Sequence, residues 1–366
     1  MHSTLAESVD VLLGAGAEAP ALQHLIAPAA VLELKKLAAN LAPILRGGFE
    51  CRLAANTPQV DLQQCVVPDE SELTLLREHI AAVTGAGGVS PHPGWSQLQD
   101  FLAQWCEPLS PLHNSIPEIW LEFDINSPSV ILPVPAIFFG LPQDVSPAVE
   151  PYPIAAKALD LLLGELGWCA WRDNLYRCFA ACPDGVFVSH IGVMLSRKAP
   201  ALRVNVKRLL PDSLVPYLQQ IGWEGETDEV GSLMEQLLAF ADRITVCLDV
   251  GERIYPQIGL ECILLKQPQS EPRWTAFLKY LVDGGLCAPA KAEALLNWPG
   301  QTNPAGAPAP WPGELIAASL LQPPNCFSVF ERRLSHIKIV WQPQRRLEAK
   351  AYLWFQHQWL SVERKR

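Results

Sequence analysis

The stretch SHIKIVWQPQRRLEAKAYLWF, residues 335–355, governs the reading of the whole chain. Side chains alternate between the two faces of a strand. Read as a hairpin, this stretch puts Ile337, Ile339 and Trp341 on one face and His336 and Lys338 on the other. The return strand repeats the division: Leu347, Ala349, Ala351, Leu353 and Phe355 share one side, and Glu348, Lys350, Tyr352 and Trp354 share the opposite one.

Four earlier stretches have the same character: 47–67, 118–140, 185–209 and 243–265. Between them, apolar residues recur every three or four positions and predict helices over 31–45, 70–85, 95–106, 152–166, 212–223, 230–244, 272–286 and 289–298. The proline-rich segment 299–313 reads as a surface connection. The repeated order is helix, strand, strand, helix. Strands in adjacent alternating pairs exclude Rossmann and TIM architectures, whose strands are single, parallel and apolar on both faces.

In every hairpin one face is nearly all apolar, for example Phe49, Cys51 and Leu53, or Leu260, Cys262 and Leu264. The other face carries Glu50 and Arg52; Asp61 and Gln63; Trp120, Glu122 and Asp124; Arg203, Asn205 and Lys207; Thr245, Cys247 and Asp249; then Glu261. Amphipathic helices must cover the apolar side. Ten antiparallel strands with all helices on one side can close into a barrel, which removes exposed edges and turns the ionisable residues inward. The expected fold is therefore α+β: one domain over 1–366, an antiparallel ten-stranded β-barrel with a polar lumen wrapped by helices. Ten strands leave room for a ligand-sized chamber. The competing architecture is an open layered sheet whose polar face meets water.

Composition fits this picture. The 366 residues are 49% hydrophobic and 18% charged, with 12 tryptophans and 33 prolines, as in ordinary globular proteins. A net charge of −10 argues against a nucleic-acid coat, which needs clustered Lys and Arg. There is no leader pattern and no long apolar run, so a cytoplasmic chain with no membrane partner is expected. The ten cysteines are scattered through apolar patterns and read as core thiols; Cys178 and Cys182 match no zinc ribbon. GAGAEAP (14–20) and GAGG (85–88) lack the flanking strand and helix of a phosphate cradle.

The fivefold helix-strand-strand-helix order resembles the ABBA (PT) barrel of the soluble aromatic prenyltransferases, the group that includes dimethylallyltryptophan synthase. GGFECRLAANTPQVDL (47–62) looks like the first hairpin of that family, and HIKIVWQP (336–343) and AKAYLWF (349–355) resemble its Lys-x-Tyr strands. The resemblance implies transfer of an allylic prenyl group from a prenyl diphosphate co-substrate to an aromatic or peptide acceptor, with no cofactor and no magnesium. It puts Glu50 where the family's substrate-binding glutamate stands, and Lys338 and Lys350-Ala-Tyr352 where prenyl diphosphate is held. Departures are visible: Asp61 stands where the family usually has arginine, and Val340 and Leu209 where tyrosines follow the lysines.

The chemistry points the same way. A diphosphate leaving group needs cations where charge develops, and Arg203, Lys207, Lys338 and Lys350 are the candidates. An allylic cation needs aromatic faces and protection from water, offered by Tyr352, Trp354 and Trp120. The acceptor's proton needs a carboxylate whose pKa is raised by burial: Glu50 first, Glu122 second. The plain structural readings are a solvated Glu50–Arg52 pair and salt bridges from Lys338 and Lys350 to Glu348 and Glu261. His190 and His336 read as hydrogen-bonded fillers. The alternative function is a barrel that binds an amphipathic ligand or peptide without diphosphate chemistry.

Overall fold

The computed structural model describes residues 4–14, 22–85, 92–125, 132–143, 150–195 and 201–361. The connection 126–131 in the second hairpin, the connection 196–200 in the third, and all but the first glycine of GAGAEAP and of GAGG lie outside these residues.

The strands are β1 (Arg46–Arg52), β2 (Val60–Val66), β3 (Ile119–Phe123), β4 (Ala136–Gly140), β5 (Phe187–Val193), β6 (Ala201–Lys207), β7 (Arg243–Gly251), β8 (Ile254–Ile263), β9 (Gly300–Thr302), β10 (Cys326–Trp341) and β11 (Glu348–Ser361). They form one antiparallel sheet in the order β11-β1-β2-β3-β4-β5-β6-β7-β8-β10-β9. The additional β10–β11 pairing closes it. Ten strands make the barrel and β9 lies against the far stretch of β10. Closure leaves no open polar face, which rules out the layered sheet.

Two features depart from the sequence reading. The segment 299–313 is not a plain connection: Gly300–Thr302 pairs with Phe330–Arg332, and Trp311 is buried with its indole N–H on Ser328 Oγ. The last hairpin is also longer than expected, with β10 and β11 running 16 and 14 residues.

Helices cover the outside. The predicted 31–45 helix stops at Ala38, and the loop after it is held by buried Gln64, whose amide donates to Ala42 O and Ile44 O. The helices Thr4–Leu13, Pro111–Ser115, Arg172–Ala180 and Gly313–Ser319 were not anticipated. The core is the layer between helices and barrel. Phe49, Leu121, Phe139, Leu260, Ile337 and Leu353 from the strands are buried there with Trp95, Phe101, Trp105, Trp274 and Phe277 from the helices. All ten cysteines are free thiols. Among the described residues no helix is long and apolar enough to cross a membrane.

Candidate functional site

The lumen holds a cavity of about 300 Å³. Glu50, Glu122, Arg203, Lys207, Lys338, Lys350, Tyr352, Trp120 and Trp354 all border it. Register explains the gathering. Glu50 lies opposite Tyr352 across β1–β11 and opposite Asp61 across β1–β2. Lys338 lies opposite Lys350 on one side and Glu261 on the other. Gln63 faces Glu122, and Trp120 faces Phe138.

One irregularity re-aims the wall. The β10–β11 register shifts between Leu334 and His336, so Leu334 stays in the helix-covered core while both Ser335 and His336 border the cavity. A bulge of this kind inserts one residue and changes which face the next ones take.

Glu50 is the most heavily bound group in the lumen. Lys350 Nζ donates to its Oε1 at 2.8 Å, Arg52 Nη1 donates to the same oxygen, and Tyr352 Oη donates to Oε2. Arg52 also donates to Asp61 Oδ2 at 3.0 Å. Burial alone would raise the Glu50 carboxyl; the Lys350 and Arg52 charges and the hydrogen bonds from Lys350 and Tyr352 outweigh it and hold the group far below the usual carboxylate range. The expected raised pKa is therefore reversed at Glu50. It is found at Glu122, which burial, and then the neighbouring Glu50 charge, push up to about 7. Gln63 Nε2 donates to Glu122 Oε2 at 2.9 Å.

On the opposite wall Lys338 Nζ meets Glu261 Oε1 at 3.2 Å, and Cys247 Sγ donates to the same oxygen at 3.0 Å. Burial would raise Glu261, but Lys338 and then His336 bring it down to about 2. The expected salt bridge thus forms from Lys338 to Glu261, whereas Lys350 takes Glu50 in place of Glu348. Arg203 Nε donates to Asp249 Oδ1 at 2.6 Å. Lys207 is different: among the described residues it has no ion pair or hydrogen bond, and burial lowers its pKa.

His190 bridges Ser189 Oγ and Glu118 Oε1, both at 3.2 Å. The His336 ring stacks on Tyr352 at 4.2 Å and 14° between planes. Its Nδ1 meets Ser335 Oγ at 3.1 Å, and its buried Nε2 has no hydrogen-bond partner but lies 4.0 Å from Glu261 Oε1. Phe138 also borders the cavity; its only sequence signal was an aromatic at an inward position of β4.

No family model and no curated protein matches the sequence. Solved structures do match in fold. 5-Dimethylallyltryptophan synthase from Streptomyces coelicolor is 13% identical, with a TM-score of 0.54 over 96% of this chain and 98% of that one. The prenyltransferase PriB in its apo form is 13% identical, also with a TM-score of 0.54, over 96% of each chain. The chain therefore has the ABBA barrel fold seen in these prenyltransferases.

Proposed function

We propose that the barrel is a metal-independent prenyltransferase that moves an allylic prenyl group from a prenyl diphosphate to an aromatic or other nucleophilic acceptor, either a small molecule or a peptide side chain. The observation that carries this reading is convergence: five lysine and arginine cations, four glutamates and aromatic faces border one cavity inside a closed wall. The fold neighbours named as prenyltransferases point the same way.

In this reading the allylic C–O bond breaks and both its electrons leave with the diphosphate. Lys207, Lys338, Lys350 and Arg203 meet the charge that develops there. The allylic cation is shielded by Trp120, Tyr352 and Trp354 while the acceptor supplies the electron pair for the new bond. The acceptor's proton then passes to Glu122, whose raised pKa suits a proton acceptor near neutral pH. Glu50, held as an anion by three donors, is the poorer base.

The test is incubation with dimethylallyl and geranyl diphosphates and a panel of indole, phenol and peptide acceptors, with and without EDTA. A product heavier by one prenyl unit, formed equally with EDTA, is the expected result; no product with any donor from a folded sample overturns the reading. The second reading, a barrel that binds an amphipathic ligand or peptide without transfer, is favoured by one observation: Arg52, Arg203, Lys338 and Lys350 already contact carboxylates of the chain itself. Calorimetry with dimethylallyl thiodiphosphate separates the two, since only the transferase reading expects heat of binding.

A further inference from the structure

Three donors from two strands converge on the Glu50 carboxylate: Lys350 at 2.8 Å, with Arg52 and Tyr352 beside it. Such convergence of charge-assisted donors is the geometry of an anion site. All three donors border the lumen cavity, and the anion they hold belongs to the chain. We propose that Glu50 is an internal occupant of an anion-binding cradle, and that the ligand which displaces it is a polyphosphate, the diphosphate end of the donor. This rests on the transferase reading and adds to it a built-in competitor.

Charge decides which ligand displaces the occupant. Lys350 stands directly opposite Lys338 across β10–β11, yet Glu50 satisfies only Lys350, while Glu261 satisfies Lys338. Lys207, in the same cavity, has no partner among the described residues. A carboxylate carries one charge and two oxygens, whereas a diphosphate carries two or three charges and spans neighbouring cations. It engages Lys350 together with Lys338 or Lys207, gaining contacts that Glu50 does not make. A monoanion of the same reach as a carboxylate gains nothing by the exchange.

The alternative role, that Glu50 simply neutralises two cations to stabilise the fold, makes the opposite prediction about binding. Removing a structural carboxylate loosens the site, whereas removing a competitor tightens it. Losing one charge-assisted contact from the unliganded state corresponds to about tenfold in affinity.

Binding of inorganic diphosphate, and separately of inorganic phosphate, to the full chain is measured by calorimetry for the wild type, Glu50→Gln, Lys350→Met and the double variant. Glu50→Gln is expected to bind diphosphate about tenfold tighter than wild type, with phosphate gaining less, and the gain is expected to vanish in the Lys350→Met background. Glu50→Asp, which keeps the charge but shortens the arm, guards against a folding defect and is expected to show an intermediate gain. A folded Glu50→Gln or Glu50→Asp protein that binds diphosphate no tighter than wild type overturns the proposal, as does an equal gain without Lys350, which would be a general charge effect. If the wild type transfers a prenyl group and these variants show no gain, the competitor role alone is lost. If no variant binds diphosphate, the transferase reading is lost with it.

Discussion

Lys338 and Lys350 face each other directly across β10 and β11. Like charges in directly opposite positions of a sheet repel, and each lysine here is held by a carboxylate on its outer flank, Glu261 on β8 and Glu50 on β1. Four residues on four neighbouring strands therefore form an arc around the lumen wall in which two adjacent lysines are flanked on either side by a carboxylate.

Removing one member of a buried pair strands the other. Lys338 is 5% exposed, so Lys338→Met leaves Glu261 without its cation and is expected to cost about 3 kcal/mol in urea unfolding. Adding Glu261→Gln should recover most of that loss. On the proposed transferase reading, turnover with an allylic diphosphate should fall about 10²-fold or more in Lys338→Ala and Lys350→Ala, because each would remove a charge that faces the leaving group. Recovery of stability without recovery of turnover separates the two roles.

Glu122 ties activity and stability to pH in opposite senses. Its folded pKa of about 7 lies above the ordinary 4.5. The stabilising effect of the proton is fully present below about pH 4.5 and is lost as pH rises through about 7. Activity should rise over the same interval as the carboxylate appears. Glu122→Gln is expected to be about 2 kcal/mol more stable than wild type at pH 8 and about equal at pH 4, with the neutral-pH limb of the rate profile gone. Unfolding curves between pH 4 and 8 and initial rates between pH 5 and 9 check both.

Gly259 makes room for a side chain it does not pair with. A Cβ built there would stand 2.4 Å from Lys338 Cε, so the aliphatic arm of Lys338 passes directly over this glycine. Gly259→Ala should push the flexible arm aside at small cost in stability, about 1 kcal/mol, but draw the ammonium away from Glu261. Weaker binding of dimethylallyl thiodiphosphate in a protein with nearly normal melting is the expected signature.

Lys291 supports the first hairpin from outside. Its ammonium is buried and donates to Arg52 O at 2.7 Å, Ala54 O at 3.1 Å and Thr57 O at 2.8 Å. Nearby, Ala288 N–H donates to Leu53 O at 2.9 Å. Burial lowers the Lys291 pKa, and the three carbonyls supply the acceptors that a carboxylate would otherwise provide. Lys291→Met should cost about 1–3 kcal/mol, the penalty for leaving buried carbonyls unpaired. It should also accelerate hydrogen exchange through residues 53–58, which carry the turn after Arg52. Unchanged exchange in that turn would show that Lys291 does not brace it.

Much of the architecture was legible in local pattern. Alternation in IWLEF (119–123) and IKIVW (337–341) divided oily from ionisable faces, and strands in adjacent pairs implied hairpins and antiparallel order. A period of two is a property of the strand itself, so it survives without knowledge of the neighbours. The same rule placed Glu50, Lys338 and Lys350 on the lumen side.

What local pattern did not contain was register and charge balance. Glu50 and Lys350 are 300 positions apart in the chain. Only closure of β11 onto β1 brings them within 2.8 Å, and that contact turned the expected raised-pKa base into a clamped anion while Glu122 took the raised value. The slip at Ser335, the added strand Gly300–Thr302 and the three-carbonyl seat of Lys291 belong to the same class. Which face a side chain takes follows from its own strand, but the charge it meets there depends on 1/r interactions with groups that distant segments bring close, and those distances exist only once the barrel is shut.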